Sequence, residues 1–492
     1  MARFEEGLLY IDGQRTRARS GATFDVIDPG TQEVIAQAAN AGVEDLDAAV
    51  SAARRAFDTT DWSTNHGFRQ HCLRQLREGL LKHQAEFEDI VMAEAGICRR
   101  YLGTHVGNQI QEMAWIIDLV GTFEWERELP VHRAGAFSSR RTVVQEAYGV
   151  GGAITAWNGP FAQNLWKTTH LLGAGNTMVL KTAPPTPLTG ALLAQVVDRY
   201  TDIPAGVFNV IGSGDVAGVG EALTADPRVD IYHFTGSVGV GQRIVEKAAR
   251  GIRKVVLELG GKSANILLDD ADLDEAVPAS VMRCMSSSGQ GCALPTRMVV
   301  HASLYDEVAE RLVGLMQQVK LGDQRDPDTA VGPMIRASQV DRMAGLVERA
   351  RADGATVAVG GRRADRGGEG FWFEPTLILG AGENSEIAQT EVFGPVLTVL
   401  RYDGDDDEAV RVANNSRFGL AGYVQTRDLA RGEAVARKLQ AGIVSVGASS
   451  AFGPDSPFGG YRSSGMGREH GIEGFRECVQ SKTIASPAAG KI

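Results

Sequence analysis

Five cysteines are scattered through the 492 residues, and one of them, Cys292, stands where covalent chemistry is feasible. It closes the stretch Ser288-Gly289-Gln290-Gly291-Cys292 and precedes Ala293, so no bulky neighbour crowds its sulfur. A lone free cysteine is more often an inert small hydrophobe than a nucleophile, so the reading needs a partner that handles protons. Glu258 offers one. In Leu257-Glu258-Leu259-Gly260-Gly261-Lys262 its carboxyl group ends an apolar strand and two glycines follow. A carboxylate so placed can take a proton from a thiol or from an attacking water, worth about 10²–10⁴-fold in rate; read alone, it is equally a carboxylate bonded to a helix N-terminus. Asn158, in Ala156-Trp157-Asn158-Gly159-Pro160, can donate its amide to a developing oxyanion, worth on the order of 10²–10³, although an asparagine before Gly-Pro is also an ordinary turn. Phe234-Thr235-Gly236-Ser237-Val238-Gly239-Val240-Gly241 reads as strand, glycine turn and helix start, where backbone N–H groups suit a phosphate. A tight strand-to-helix turn explains those glycines as well.

The elements that must hold these residues are legible from periodicity. A helical face (Val43, Leu46, Ala49, Val50, Ala53, Phe57) opens the chain. Strand-length apolar runs at 153–156, 177–180, 207–211, 230–234 and 254–259 then alternate with helical stretches at 164–172, 188–200, 216–223 and 240–249, the pattern of a parallel, doubly wound sheet. A second alternating series begins at Ala264, with strands at 266–268, 298–300, 396–400 and 443–446. Its best helix starts at Leu304, with Val308, Leu312, Leu315 and Val319 at helical spacing. The join lies near Gly260-Gly261, and sites in such proteins favour strand ends and domain interfaces. Two β-rich pieces, 141–145 and 478–484, belong to neither series and are expected to pair with each other and offer an edge to another subunit. Gly212-Ser213-Gly214-Asp215-Val216-Ala217 fits one form of the dinucleotide fingerprint, but the segment after it is short and leads to Pro227 without an acidic ribose ligand, so the match is weak.

Composition bounds the rest. A 43% hydrophobic and 23% charged chain is ordinary globular material. No apolar run of about 18 residues exists to span a membrane, and the acidic start at Glu5, Glu6 and Asp12 is unlike a secretion signal. The net charge of −11 argues against nucleic acid. The cysteines are odd in number and form no Cys-x-x-Cys pair, which points to a reducing, cytoplasmic compartment and to no metal site.

Taken together, the motifs resemble the aldehyde dehydrogenase superfamily over nearly the whole chain. Ala156–Pro160, Phe234–Gly241, Glu258–Lys262, Gly289–Cys292, Glu391–Pro395 and Pro457–Tyr461 match the family's stretches in order and separation. The resemblance implies an aldehyde dehydrogenase-like α/β fold with two doubly wound domains. A Rossmann-like cofactor domain would take residues 1–128 and 149–259, a catalytic domain 260–476, and oligomerisation strands 129–148 and 477–492. It further implies a homo-oligomer, dimer or tetramer, acting on a small-molecule aldehyde with NAD or NADP. Cys292 would form a thiohemiacetal and then a thioester, Asn158 and the Cys292 backbone N–H would hold the oxyanion, and Glu258 would activate the hydrolytic water. Trp157, Lys181, Gly214, Gly236, Ser237, Gly241, Glu391 and Phe393 would contact the cofactor, and Gly159, Trp166 and Phe458 would line the aldehyde tunnel.

Three positions depart from the family pattern. Lys181-Thr182-Ala183-Pro184 stands where the family usually has Lys-Pro-(Ala/Ser)-Glu, so the glutamate that would bind a ribose hydroxyl and repel a 2′-phosphate is replaced by Pro184; NAD is the favoured acceptor, with NADP open. Gly159 replaces an aromatic residue and is expected to widen the tunnel near Trp166. Gly447 replaces a common asparagine, from which nothing follows. The alternatives are a CoA-acylating relative, which Glu258 disfavours, and a non-catalytic binding relative, which the intact Cys292, Glu258 and Asn158 disfavour.

Overall fold

The computed structural model describes residues 3–488 apart from 136, 216, 217 and 367. Its largest sheet has eight strands. Five are parallel and occupy the centre in the order Lys254–Glu258, Ile231–Thr235, Val150–Ile154, Thr177–Lys181 and Phe208–Ile211. They are nearly continuous apolar runs because both faces are covered. Met178 and Leu180 pack on one side with the helices His66–Lys82, Gln84–Ala95, Pro160–Gly173 and Leu188–Tyr200, while Val179 packs on the other with Val43–Thr59, Gly218–Ala225 and Val238–Ala249. Antiparallel strands close the two edges, Leu9–Ile11 and Gln14–Thr16 on one side and Gly465–Met466 on the other. The expected strands and helices of this series are all present within a few residues. Residues 216 and 217, where one helix was expected to start, lie outside the described residues, and the helix runs Gly218–Ala225.

The second sheet has seven strands in the order Thr356–Val359, Thr376–Leu379, Val396–Tyr402, Arg297–His301, Ala264–Leu267, Ala421–Gln425 and Ile443–Val446, parallel except for the first. The expected helix is Tyr305–Gln318. Sequence periodicity did not reveal the helices between 66 and 122. Gln84–Ala95 shows why: Ile90 to Ala95 are all buried, so no polar face marks a 3.6-residue period. Buried there, Glu94 accepts from the N–H groups of Leu188 and Thr189 at 2.8 and 3.2 Å and so caps a helix far away in sequence.

The two leftover β pieces do pair. Val479–Pro487 runs antiparallel to Phe137–Ala147, which pairs on its other side with Glu126–Ala134, a strand that begins three residues before the expected 129–148 segment. This three-stranded sheet has most of its outer-strand residues exposed. Among the described residues no helix is long and apolar enough to cross a membrane.

Candidate active site

Every segment singled out for chemistry in the first sheet leaves a strand at its carboxyl end. The parallel register sets Thr235 beside Glu258, Phe234 beside Ile154, and Ile154 beside Lys181, so the turns that follow share one rim. The glycines explain how the second sheet's residues reach it. A Cβ on Gly261 would stand 2.2 Å from the Cys292 carbonyl oxygen, and one on Gly260 would stand 2.3 Å from a Glu391 carboxylate oxygen. The backbone contact makes glycine a requirement at 261, and the Gly261 N–H donates to Glu391 Oε1 at 2.8 Å. Ahead of Cys292 the helix Leu273–Met285 ends and Ser287, Ser288 and Gly289 take φ of 48°, 57° and 70°. Gly289 is obligatory there, because a Cβ would stand 2.1 Å from the Gly394 oxygen.

Cys292 is half-buried and the other four thiols are buried. It lines a cavity of about 500 Å³ together with Glu258, Asn158, Gly159, Trp166 and Phe458, so the structure brings together all three expected catalytic residues and all three expected tunnel residues. Asn158 is held by a residue that sequence reading missed. Gln163 Nε2 donates to Asn158 Oδ1 at 3.0 Å, and Gln163 Oε1 accepts from the Ala156 N–H at 2.7 Å. With its oxygen engaged, the Asn158 amide keeps its N–H groups for another acceptor. The space at Gly159 is open: an added Cβ meets only Gln163 Nε2, at 3.6 Å. Trp166 is not free to swing into it, since its N–H donates to Gln109 Oε1 at 2.6 Å and its ring meets His470 edge-on at 4.3 Å.

Glu258 is buried, and neither carboxyl oxygen has a hydrogen-bond partner. Burial first, and then the nearby Glu469 carboxylate, push its pKa well above the usual carboxylate value, against the pull of Lys167 and Arg468. Glu469, also on the cavity wall, forms a buried ion pair with Lys167. Burial raises Glu469, but Lys167 and His233 outweigh that and hold it below the ordinary range. The Cys292 thiol is pushed up to about 12, by burial first and then by Glu391 and Glu258. Burial thus works against charge on both the Cys292 thiol and the Glu258 carboxyl group, and a polar reactant in the cavity is what lets charge develop there.

A second cavity of about 350 Å³ runs along the first sheet's rim. Trp157, Lys181, Gly236 and Ser237 line it, as does Pro184. Ser237 caps the helix Val238–Ala249 without a side-chain hydrogen bond, and a Cβ on Gly239 would meet nothing within 4 Å. The first N–H groups of that helix are thus open to an anion. Lys181 Nζ, buried, donates to the Thr182 carbonyl at 3.2 Å, and burial lowers its pKa to about 8 against the opposing charge of Asp215. Of the other expected cofactor contacts, Gly214 and Gly241 do not line this cavity. A Cβ on Gly214 would meet Phe24 at 3.2 Å, and one on Gly241 would meet Leu259 at 2.8 Å, so these glycines admit packing neighbours. Glu391 sits at the Gly260-Gly261 join, and the Phe393 ring stands edge-on to Trp157 at 5.3 Å. Among the described residues no group of three or more His, Cys, Asp or Glu side chains could hold a metal ion.

Known proteins resemble this chain over nearly its whole length. The family model described as the aldehyde dehydrogenase family matches residues 16–484. The chain is 37% identical over 480 residues to a 3-succinoylsemialdehyde-pyridine dehydrogenase of Pseudomonas sp, covering 96% of this chain and 97% of that protein. It is 36% identical over 485 residues to a putative aldehyde dehydrogenase of Staphylococcus aureus (strain MW2), covering 97% and 98%. Among solved structures, betaine aldehyde dehydrogenase from Staphylococcus aureus in complex with NAD+ superposes with a TM-score of 0.95 at 32% identity, covering 99% of this chain and 96% of that one. The NAD+ complex of an aldehyde dehydrogenase from Bacillus cereus gives 0.93 at 33% identity, covering 98% and 96%.

Proposed function

The chain belongs to the aldehyde dehydrogenase family, oxidising an aldehyde to a carboxylic acid with NAD or NADP, and we propose that Cys292, Glu258 and Asn158 carry that reaction in the cavity they share. The observation behind the reading is the convergence of one reachable thiol, one unpartnered buried carboxyl group and one oriented amide on a single cavity. The Cys292 proton passes to solvent through the open end of the cavity as the sulfur bonds to the carbonyl carbon, and the carbonyl's electron pair moves onto oxygen. The N–H groups of Asn158 and the Cys292 backbone receive that oxyanion. Trp157, Lys181 and the start of the helix Val238–Ala249 would hold NAD in the second cavity, and the dinucleotide would supply the hydride acceptor. Glu258 then takes a proton from water as the water oxygen bonds to the acyl carbon, the carbon–sulfur bond breaks, and the acid leaves. A CoA-acylating course has no use for a carboxyl group kept free beside the thiol.

The first N–H groups of Val238–Ala249, with Trp157 and Lys181, would hold the dinucleotide, with residues 1–128 and 149–259 as the cofactor unit and 260–476 as the catalytic unit. NAD is the preferred form. Glu221, on the cavity wall, pairs with Arg243 and Lys247, so neither of those two is left as a free cation for a 2′-phosphate. The exposed three-stranded sheet is the surface for a homo-oligomer, dimer or tetramer, and the cytoplasm is the proposed compartment.

Replacing Asn158 by alanine is expected to lower kcat by on the order of 10²-fold, since one oxyanion donor is lost. Steady-state rates on folded protein check this, and an unchanged kcat would make Asn158 only a turn residue.

The general test is an aldehyde panel with NAD and NADP, with and without CoA. Turnover is expected without CoA and to be more efficient with NAD. Because the wall beyond Gly159 is open, kcat/KM is expected to rise from acetaldehyde to hexanal and benzaldehyde, at about 0.8 kcal/mol for each CH₂ group buried. Gly159→Phe should erase much of that gain. A preference for acetaldehyde that survives Gly159→Phe would show that the space does not serve the substrate.

A further inference from the structure

Among the described residues, Glu112 is the charged side chain on the wall of the 500 Å³ cavity besides Glu258 and Glu469, and no lysine or arginine lines that wall. Glu469 already has Lys167. Glu112 has no such partner among the described residues, and burial alone shifts its pKa, upward. It lies one turn along the helix Asn108–Thr122 from Asn108, which lines the same cavity and is exposed, so the two mark its solvent end.

Behind Glu112 lies a small cavity of about 20 Å³, lined also by His170 and His470. That volume is about one water molecule. His170 Nδ1 stands 2.9 Å from the Trp166 carbonyl, which can only accept. The ring proton therefore sits on Nδ1, and Nε2 is left as a buried acceptor with no donor. Burial lowers His170 to about 4 and His470 to about 3, so both rings are neutral near pH 7. The Gln109 amide is spent on Trp166 and the Thr104 carbonyl. Among the described residues no lysine or arginine lines the small cavity behind Glu112 either, and its open side is the substrate cavity.

We propose that the cavity takes an aldehyde carrying an ammonium group at the end remote from the carbonyl, with Glu112 receiving the ammonium while Trp166, Phe452 and Phe458 cover the stem. This rests on Cys292 being the reacting centre. Aromatic faces suit both an apolar stem and a nearby cation, and a half-buried carboxylate gains more from a charged donor than from a neutral one.

The test compares three aldehydes of matched shape on the full-length enzyme with NAD: 4-(aminomethyl)benzaldehyde, 4-ethylbenzaldehyde and 4-carboxybenzaldehyde. The ammonium compound is expected to exceed the ethyl compound about tenfold in kcat/KM, as for a charge-assisted hydrogen bond, with the carboxylate lowest. Glu112→Gln should bring the ammonium-to-ethyl ratio close to one, and Glu112→Lys should put the carboxylate ahead of the ammonium. No ammonium preference in the wild type, or an equal preference in Glu112→Gln, overturns the proposal while leaving the chemistry at Cys292 standing. Failure of all three aldehydes to react overturns both, and a ratio that follows the charge at position 112 supports it.

Discussion

Cys292→Ala protein is expected to bind dinucleotide as the wild type does and to oxidise no aldehyde at a measurable rate, a fall on the order of 10⁴-fold or more for loss of a covalent nucleophile. The size of the effect follows from the other four thiols. Cys72, Cys98, Cys284 and Cys478 are buried, and burial pushes the first three up to about 12 and Cys478 higher still. None can reach the cavity in Cys292's place. Cys292 is itself pushed up to about 12, so its reactivity comes from position and from the donors around the oxyanion, not from a standing thiolate. Dinucleotide binding survives because Cys292 does not line the second cavity. Titration of the variant with NAD, followed by steady-state assays over the aldehyde panel, separates the two properties. Substantial turnover by the alanine variant would remove the covalent mechanism altogether.

How far the site could be read in advance depended on what kept each residue where it is. Cys292, Glu258 and Asn158 sit at chain turns whose neighbours must be small or fixed for the backbone to pass, as at Gly261 against the Cys292 carbonyl. That requirement leaves a mark in sequence. Gln163, Glu469, Glu112 and His470 carry no such mark. They lie on or beside helices, and they meet the cavity only because the helices pack as they do, so their contacts at sequence separations such as 302 residues for Lys167 and Glu469 are invisible to local pattern. The same reason hid the strand Ala421–Gln425, whose five residues are all buried and show no alternation. Gly214 and Gly241 carry a second physical meaning: a missing side chain serves close packing, here against Phe24 and Leu259, as readily as it serves a phosphate. Fold and chemistry were therefore legible where the backbone itself is constrained, and substrate selection, which rests on side chains from distant helices, was not.

Glu258→Gln is expected to divide the reaction in two. If Glu258 serves mainly to activate water, the first turnover proceeds at near the wild-type rate, and reduced cofactor appears in a burst of about one equivalent per Cys292. The steady rate then falls by about 10²–10³-fold, because the acyl group waits for a water that no base deprotonates. The geometry favours this division. Glu258 raises the Cys292 pKa rather than lowering it, so removing its charge does not make the thiol harder to ionise. Its own carboxyl group, raised well above 4.5 by burial and by Glu469, must lose its proton to act as a base. The wild-type steady rate should therefore climb with pH through a value above the ordinary carboxylate range, as the fraction of ionised Glu258 grows, and glutamine at this position should abolish that limb of the profile. Stopped-flow measurement of burst amplitude and steady rate from pH 5 to 9 reads both effects in one series. If burst and steady phases fall together, Glu258 acts first on the thiol, and the hydrolytic role passes to another group on the cavity wall. Glu469 is the neighbouring candidate, but its ion pair with Lys167 holds it ionised and weakly basic. A carboxylate so stabilised is a poor base, which is the physical reason for expecting the two phases to separate.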